Sequence, residues 1–162
     1  RNEDADDLLR DAQISASHAL PECEAENVLS GVSRTVGEQT NCWAAYAADH
    51  PTLTLRLAAP AAVRRIQLTF DSNLSREITI SINREVLGRQ SAGTPPELVC
   101  SCRLVFVRDG ADVRHIDIEE LWQRRCVLDL EQPILCDAIR IENIRTHGAK
   151  IIRIFEARAY RA

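Results

Sequence analysis

The residue types that most often do chemistry are scattered along this sequence. His115-Ile116-Asp117 places an imidazole and a carboxylate on one face of an expected strand, where they could share a hydrogen bond or part of a metal site. An exposed pair on a sheet surface is the competing interpretation. Gly31-Val32-Ser33 is not a nucleophile elbow, because Thr35 replaces the last glycine of that motif. No phosphate loop or dinucleotide fingerprint occurs, so we predict that the chain is not an enzyme.

The cysteines do not follow a metal-binding pattern. The six stand at positions 23, 42, 100, 102, 126 and 136, and none form a Cys-x-x-Cys pair. Cys100 and Cys102 are two apart in an expected strand, where a disulfide between them would be strained. We interpret these two as small core residues. The even count permits disulfides, but the chain is long enough to fold without them, so their redox state stays open.

Charge and length limit the possible partners. A net charge of −4 and a pI near 5.6 argue against binding to nucleic acid or to an anionic membrane. No apolar stretch approaches the roughly 20 residues that span a bilayer. The chain begins Arg1-Asn2-Glu3 and contains no methionine. We therefore expect residues 1–162 to be a single domain cut from a larger protein, with its oligomeric state and compartment left open.

Hydrophobic residues alternate with polar ones through most of the chain and predict strands. The segments that show this pattern are 14–17, 53–57, 63–70, 78–82, 98–106, 126–130, 139–141 and 152–160. Such alternation gives each strand one buried face and one wet face. About eight strands separated by polar turns predict an all-β fold of two antiparallel sheets packed face to face.

Three other segments are assigned local structure. Asp4 is a suitable N-cap, and Asp6 and Asp7 suit the positive end of a helix dipole, so a short N-terminal helix is predicted over residues 4–11. Ala58-Ala59-Pro60 predicts a turn between two strands. Residues 18–50 form a long stretch without regular signal, which in a compact domain is usually functional or braced by a metal.

Motifs near both ends of the chain resemble the discoidin, or coagulation factor 5/8 C-type, domain family. Ala25-Glu26-Asn27, Ser30-Gly31 and Thr40-Asn41-Cys42-Trp43 stand where that family has Ala-x-Asn, Asp-Gly and Thr-x-Trp. Phe155-Glu156-Ala157-Arg158-Ala159-Tyr160 is similar to its terminal strand. The resemblance covers about residues 12–161. It implies a jelly-roll β-sandwich of the galactose-binding-like type. We expect Trp43 to lie in the core rather than to contact a ligand.

A narrower resemblance points to a second interpretation. Trp122-Gln123-Arg124-Arg125, Ile139-Arg140-Ile141 and His147-Gly148 are similar to the C-terminal domain of some bacterial FAD-dependent oxidoreductases. This implies a domain that docks on the catalytic domain of its parent chain and binds nothing small. Arginine is far commoner than lysine here, which suits fixed contacts to a neighbouring domain. A compositional bias of the genome explains the arginines equally well.

The wider resemblance implies a non-catalytic binding module for carbohydrate. Aromatic rings stack on the C–H faces of sugars, while arginine, asparagine and histidine bond the hydroxyl groups. The residues that would hold the ligand are Arg76, Trp122, His147 and Tyr46, with His18, Asn83 and Arg84 as further loop candidates. A core position is the alternative for Trp122, and a solvated loop position is the alternative for each of the others.

The same family implies a structural calcium ion between residues 24–43, here called the early loop, and the last strand. Calcium prefers several oxygen ligands, and Asn27, Ser30, Thr40 and Glu156 would supply them. Ser30 stands where the family has an acidic residue, which removes one negative charge and weakens the site. The alternative is that Glu156 only accepts hydrogen bonds from backbone amides of the loop. No other cofactor is expected.

Overall fold

The computed structural model of the protein describes residues 2–72 and 94–161, and these residues form an all-β domain. The strands are β1 (Gln13–Ala16), β2 (Trp43–Tyr46), β3 (Leu53–Phe70), β4 (Val99–Arg108), β5 (Ala111–Ile118), β6 (Arg125–Thr146) and β7 (Ile151–Tyr160). Short 3₁₀ helices cover Ala25–Leu29 and Ala47–Asp49. The strand predicted at 78–82 lies outside the described residues. In the described ranges, no helix has the length and apolar character needed to cross a membrane.

Two long strands run through both layers of the sandwich. Residues 53–56 of β3 pair with residues 138–141 of β6, and residues 65–69 pair with residues 125–129. The first half of this pair continues through β1 on one side and through β4 and β5 on the other. The second half continues through β7 and β2. Every pairing is antiparallel, and the predicted β-sandwich is confirmed.

The turn predicted at Ala58-Ala59-Pro60 is wrong. These residues stay within β3, where the pairing with β6 shifts register between Arg56 and Ala61. A proline is tolerated there because a break in register removes the need for its missing N–H group. The segments 126–130 and 139–141 are likewise two halves of β6 rather than separate strands. Each long strand bends instead of ending, and each bend carries the sheet from one layer into the other.

One hydrophobic cluster fills the space between the layers. Trp43, Phe70 and Phe106 are fully buried in it, and the core position predicted for Trp43 is confirmed. The indole nitrogen of Trp43 donates a hydrogen bond to the backbone oxygen of His18, 2.9 Å away. A buried polar group therefore has its partner. Cys102 belongs to this core as predicted, Cys100 is only partly buried, and all six cysteines are free.

The helix predicted over residues 4–11 is wrong, because this segment forms successive turns. The Asp7 carboxylate accepts hydrogen bonds from the backbone nitrogens of Leu9 and Ala159, each 3.0 Å away. Leu8 donates from its backbone to the Ala159 oxygen at 2.8 Å. Asp4 accepts a hydrogen bond from the Tyr160 hydroxyl at 2.9 Å, which lowers the pKa of the Asp4 carboxyl. The acidic residues therefore fasten the N-terminal segment to β7 instead of capping a helix.

Replacing Asp7 with alanine tests this attachment. The substitution leaves the buried N–H groups of Leu9 and Ala159 without an acceptor, so we expect the free energy of unfolding to fall by about 2–4 kcal/mol. Urea denaturation measures the loss. Asp6→Ala is the matched control, because the Asp6 side chain is exposed and should change stability by less than about 0.5 kcal/mol. Equal stability of the two variants would contradict the role of Asp7.

Candidate functional site

Backbone hydrogen bonds gather several loops at one end of the sandwich. Leu121 donates to the Cys100 oxygen at 2.9 Å, and His147 donates to the Leu98 oxygen at 2.9 Å. Ala149 donates to the Pro96 oxygen at 2.9 Å, which joins residues 94–98 to residues 147–150. The segment after β5 and the segment between β6 and β7 are therefore held side by side.

Trp122 and His147 form an exposed aromatic pair on these loops. Their ring centroids are 4.5 Å apart, and the ring planes are tilted by 35°. Trp122 is 63% exposed. The Nε2 atom of His147 lies 2.6 Å from the backbone oxygen of Leu121, and a carbonyl oxygen can only accept. Nε2 therefore carries the hydrogen, and Nδ1 of the neutral ring is left as an acceptor. We call this pair the Trp122–His147 platform.

The other predicted ligand residues are placed less tightly. Tyr46 ends β2 opposite Ile151 and is 51% exposed, so it lies at the same end of the domain. Within the described residues, Trp122 and His147 make the one aromatic ring contact, so Tyr46 is not stacked on the platform. The His18 ring lies against the Ser17 hydroxyl at 3.0 Å. Arg76, Asn83 and Arg84 lie outside the described residues.

The possible His115–Asp117 pair is accounted for by a different contact. The Asp117 carboxylate accepts two hydrogen bonds from Arg103, at 2.6 and 3.2 Å. This pairing lowers the pKa of Asp117 and raises that of Arg103. The carboxylate is therefore engaged by a neighbouring strand on an open surface, as the interpretation of an exposed pair expects.

Arg124 is a structural residue that the sequence singled out only as part of a motif. Its Nε atom donates to the Phe70 oxygen at 3.2 Å, and its Nη2 atom donates to the Ser33 oxygen. The guanidinium carbon lies 5.6 Å from the centre of the Phe155 ring. A cation over an aromatic face contributes about 0.5–2 kcal/mol. Arg124 thus joins the early loop, the end of β3 and the terminal motif, two residues beyond Trp122.

The four residues predicted to bind calcium make other contacts. Asn27 donates from its side chain to the Cys42 oxygen at 3.0 Å, and the Thr40 hydroxyl donates to the Glu22 oxygen at 2.9 Å. The Ser30 hydroxyl accepts from the Val32 nitrogen at 3.2 Å. Of the four, only Asn27 and Thr40 line the open cleft of the early loop. No three His, Cys, Asp or Glu side chains in the described ranges are grouped to hold a metal ion.

Glu156 is held by its own strand. Its Oε1 atom accepts hydrogen bonds from Arg158 at 2.7 and 3.0 Å, and this pairing raises the pKa of Arg158. The hydrogen bonds to Glu156 thus come from a guanidinium and not, as the alternative supposed, from amides of the loop. A calcium ion at the predicted residues would require Glu156 to leave Arg158 and turn towards the cleft. The donor set does not fit calcium in this arrangement, and the calcium site stays a prediction.

Chelation decides whether calcium is bound. If the ion braces the loop, EGTA should lower the melting temperature and added Ca²⁺ should restore it, by about 5–10 °C at a hundredfold excess over Kd. Glu156→Gln should abolish the response. Glu142→Gln is the matched control, because Glu142 is also a partly buried carboxylate paired with an arginine. A melting temperature indifferent to both EGTA and Ca²⁺ rejects the ion.

Fluorescence quenching tests the exposure of the platform. The protein has two tryptophans, of which Trp43 is fully buried and Trp122 is largely exposed. Acrylamide should therefore quench the fluorescence of Trp122 selectively, and Trp122→Phe should reduce the quenching constant several-fold. Val113→Ala alters an exposed residue on β5 and should leave the constant unchanged. Equal quenching before and after Trp122→Phe would show that Trp122 is shielded.

Comparison with known proteins identifies the fold. No family model matches the chain, and no curated protein is significantly similar to it. Three of the solved structures that match are carbohydrate-binding domains. The family 32 carbohydrate-binding module of NanJ from C. perfringens, in complex with galactose, is 16% identical, with a TM-score of 0.65 over 96% of this chain and 98% of that one. The lectin domain of Lectinolysin complexed with Lewis B antigen is 11% identical, with a TM-score of 0.70 over 98% and 99%. The family 32 module of EndoD from Streptococcus pneumoniae is 16% identical, with a TM-score of 0.69 over 96% and 99%.

These matches extend over nearly the whole chain and establish its architecture. The fold is the galactose-binding-like jelly roll of family 32 and discoidin-like modules, as the sequence resemblance implied. At this level of identity the matches concern the fold alone. The link to the C-terminal domain of FAD-dependent oxidoreductases stays a prediction.

Proposed function

We propose that the chain is a non-catalytic carbohydrate-binding module whose ligand rests on the Trp122–His147 platform. The observation that carries the proposal is a tryptophan that is 63% exposed and held against a second ring. Burying a large aromatic side chain contributes about 1.5–3 kcal/mol. The exposed face of Trp122 leaves most of this free energy available to a ligand, and tryptophan is enriched among the residues that contribute most to binding.

The chemistry of the platform suits a pyranose ring. The indole face offers an apolar surface to the C–H groups on one face of the sugar. The Nδ1 atom of His147 is fixed in place because Nε2 is engaged by Leu121, and it can accept a hydrogen bond from a sugar hydroxyl. Tyr46, exposed at the same end, offers a further aromatic ring to a longer glycan. The matching modules that were solved with galactose and with Lewis B antigen support this ligand class.

The test is a glycan array followed by calorimetry with the best glycan. Trp122→Ala should weaken binding at least tenfold, which corresponds to about 1.4 kcal/mol. His147→Phe keeps a ring beside Trp122 but loses the acceptor, so it should weaken binding less and should alter the preference among hydroxyl configurations. Val113→Ala is exposed on β5 and should bind as the unaltered protein does.

Two outcomes would contradict the proposal. One is an array on which no glycan is retained by the folded protein. The other is a glycan that binds with equal affinity to the unaltered protein and to Trp122→Ala, because the ligand would then rest elsewhere on the domain. Circular dichroism of each variant shows that the fold is intact before binding is compared.

A further inference from the structure

A second cluster of buried residues lies apart from the main core, beside the early loop. It consists of Cys23, Cys42, Ala44 and Phe155, with Leu20 and Ile151 packed against it. The two thiols therefore share one small apolar compartment. Neither belongs to the Trp122–His147 platform, and neither is used by the proposed ligand site.

The backbone brings the two cysteines together. Leu20 donates to the Ala44 oxygen at 2.8 Å, and Ala44 donates to the Cys23 oxygen at 3.2 Å. The chain entering the early loop thus runs directly beside the chain leaving it. Glu22 and Asn41 precede the two cysteines, and both have positive φ angles, of 62° and 50°. Asparagine adopts this conformation readily, whereas Glu22 does so at a local strain of about 1–2 kcal/mol.

The side chains lie together as the backbone suggests. The Cys23 thiol donates to the Thr40 hydroxyl at 3.5 Å, and it packs in the same buried cluster as the Cys42 thiol. Burial, and after it the neighbouring Cys23 thiol, raises the pKa of Cys42 to about 12. In the folded reduced protein Cys42 therefore stays a neutral thiol at physiological pH, next to a second thiol that it can join.

We infer that Cys23 and Cys42 are the site of a disulfide, which closes the early loop at its base when the chain folds in the presence of a small-molecule disulfide. Residues 24–41 would be enclosed by the bond. The loop carries Ser33, to which Arg124 is bonded, and Arg124 follows Trp122 by two residues. The disulfide would thus covalently restrain the loop to which Arg124, a near neighbour of Trp122, is bonded.

The reaction is a thiol–disulfide exchange with a compound such as oxidised glutathione. The Cys23 thiolate attacks one sulfur, forms a mixed disulfide and releases one glutathione thiolate, which takes up a proton. Cys42 then gives up its proton and attacks the Cys23 sulfur, and the second glutathione leaves. Two protein thiols are oxidised, and one glutathione disulfide is reduced to two thiols.

The buried state of Cys42 sets the timing of this reaction. Because only a thiolate attacks, the second step is slow in the folded protein and faster in the unfolded chain, where the thiol has its ordinary pKa. The bond should therefore form during folding. Once formed, it lies in the same buried compartment and should resist reduction by small thiols.

Peptide mapping tests the inference directly. Trypsin cuts after Arg34, so Cys23 lies in the peptide 11–34 and Cys42 in the peptide 35–56. After refolding with oxidised glutathione, blocking of free thiols and digestion without reductant, we expect these two peptides to be joined. Native reduced protein treated with the same oxidant should form the link at least tenfold more slowly. Recovery of both peptides unlinked after oxidative refolding, or of either one joined to another cysteine, overturns the inference.

Thermal unfolding supplies an independent readout. The oxidised protein should melt about 5–10 °C above the reduced protein, because the bond restricts a loop of this length in the unfolded chain. Cys23→Ser should abolish both the link and the gain, and it replaces a residue at the edge of the compartment, so it should fold. Cys100→Ser, at a partly buried cysteine in β4, is the control and should keep both. An oxidative gain that survives in Cys23→Ser would contradict the assignment.

Discussion

Both layers of this domain depend on the pairing of β3 with β6. Each strand is long enough to pass through the two layers, and their register shifts between Arg56 and Ala61, where the sheet bends. Every other strand is attached to one half of this pair, directly or through one neighbour. The bend therefore fixes how the layers face each other. It also fixes which strand ends meet. The loops that follow β5 and β6, which carry Trp122 and His147, therefore lie side by side.

The last strand is the second shared support. β7 pairs with β2 and β3, and Asp7 attaches the N-terminal segment to it by a hydrogen bond with Ala159. Phe155 leaves the alternation of this strand and packs with the early loop, under the guanidinium of Arg124. The terminal motif, residues 155–160, thus serves mainly to hold the N-terminal segment, the early loop and Arg124 in place. The carboxylate of this motif, Glu156, pairs with Arg158 and not with the early loop.

The sequence predicts the strands well because a buried face and a wet face impose a two-residue period, which most of β3 and β7 display. It does not predict their bends, since Pro60 is equally compatible with a turn and with a break in register. The N-terminal acidic residues are misleading for a related reason. A carboxylate that caps a helix and one that accepts hydrogen bonds from the backbone of a distant strand can have the same local sequence. The partner of Asp7, the backbone N–H group of Ala159, is 152 residues away and is visible only in the structure. The partner of Glu156 could have been found, because residues two apart on a strand share a face.

The Trp122–His147 platform could be nominated from the sequence but not assembled from it. Tryptophan is as common in cores as on binding surfaces, and Trp43 and Trp122 differ only in where the sheet places them. The proposed role of Trp122 depends on how firmly its surroundings are held. His147 is fixed by Leu121, and both loops are tied by backbone hydrogen bonds to the segments around Pro96 and Cys100. Little conformational freedom remains to be lost when a ligand arrives, so a small contact area can yield measurable affinity. Under the proposed function, the position of one acceptor, His147 Nδ1, would discriminate between sugars that differ in a single hydroxyl group, because a misplaced hydroxyl group leaves this acceptor without a partner.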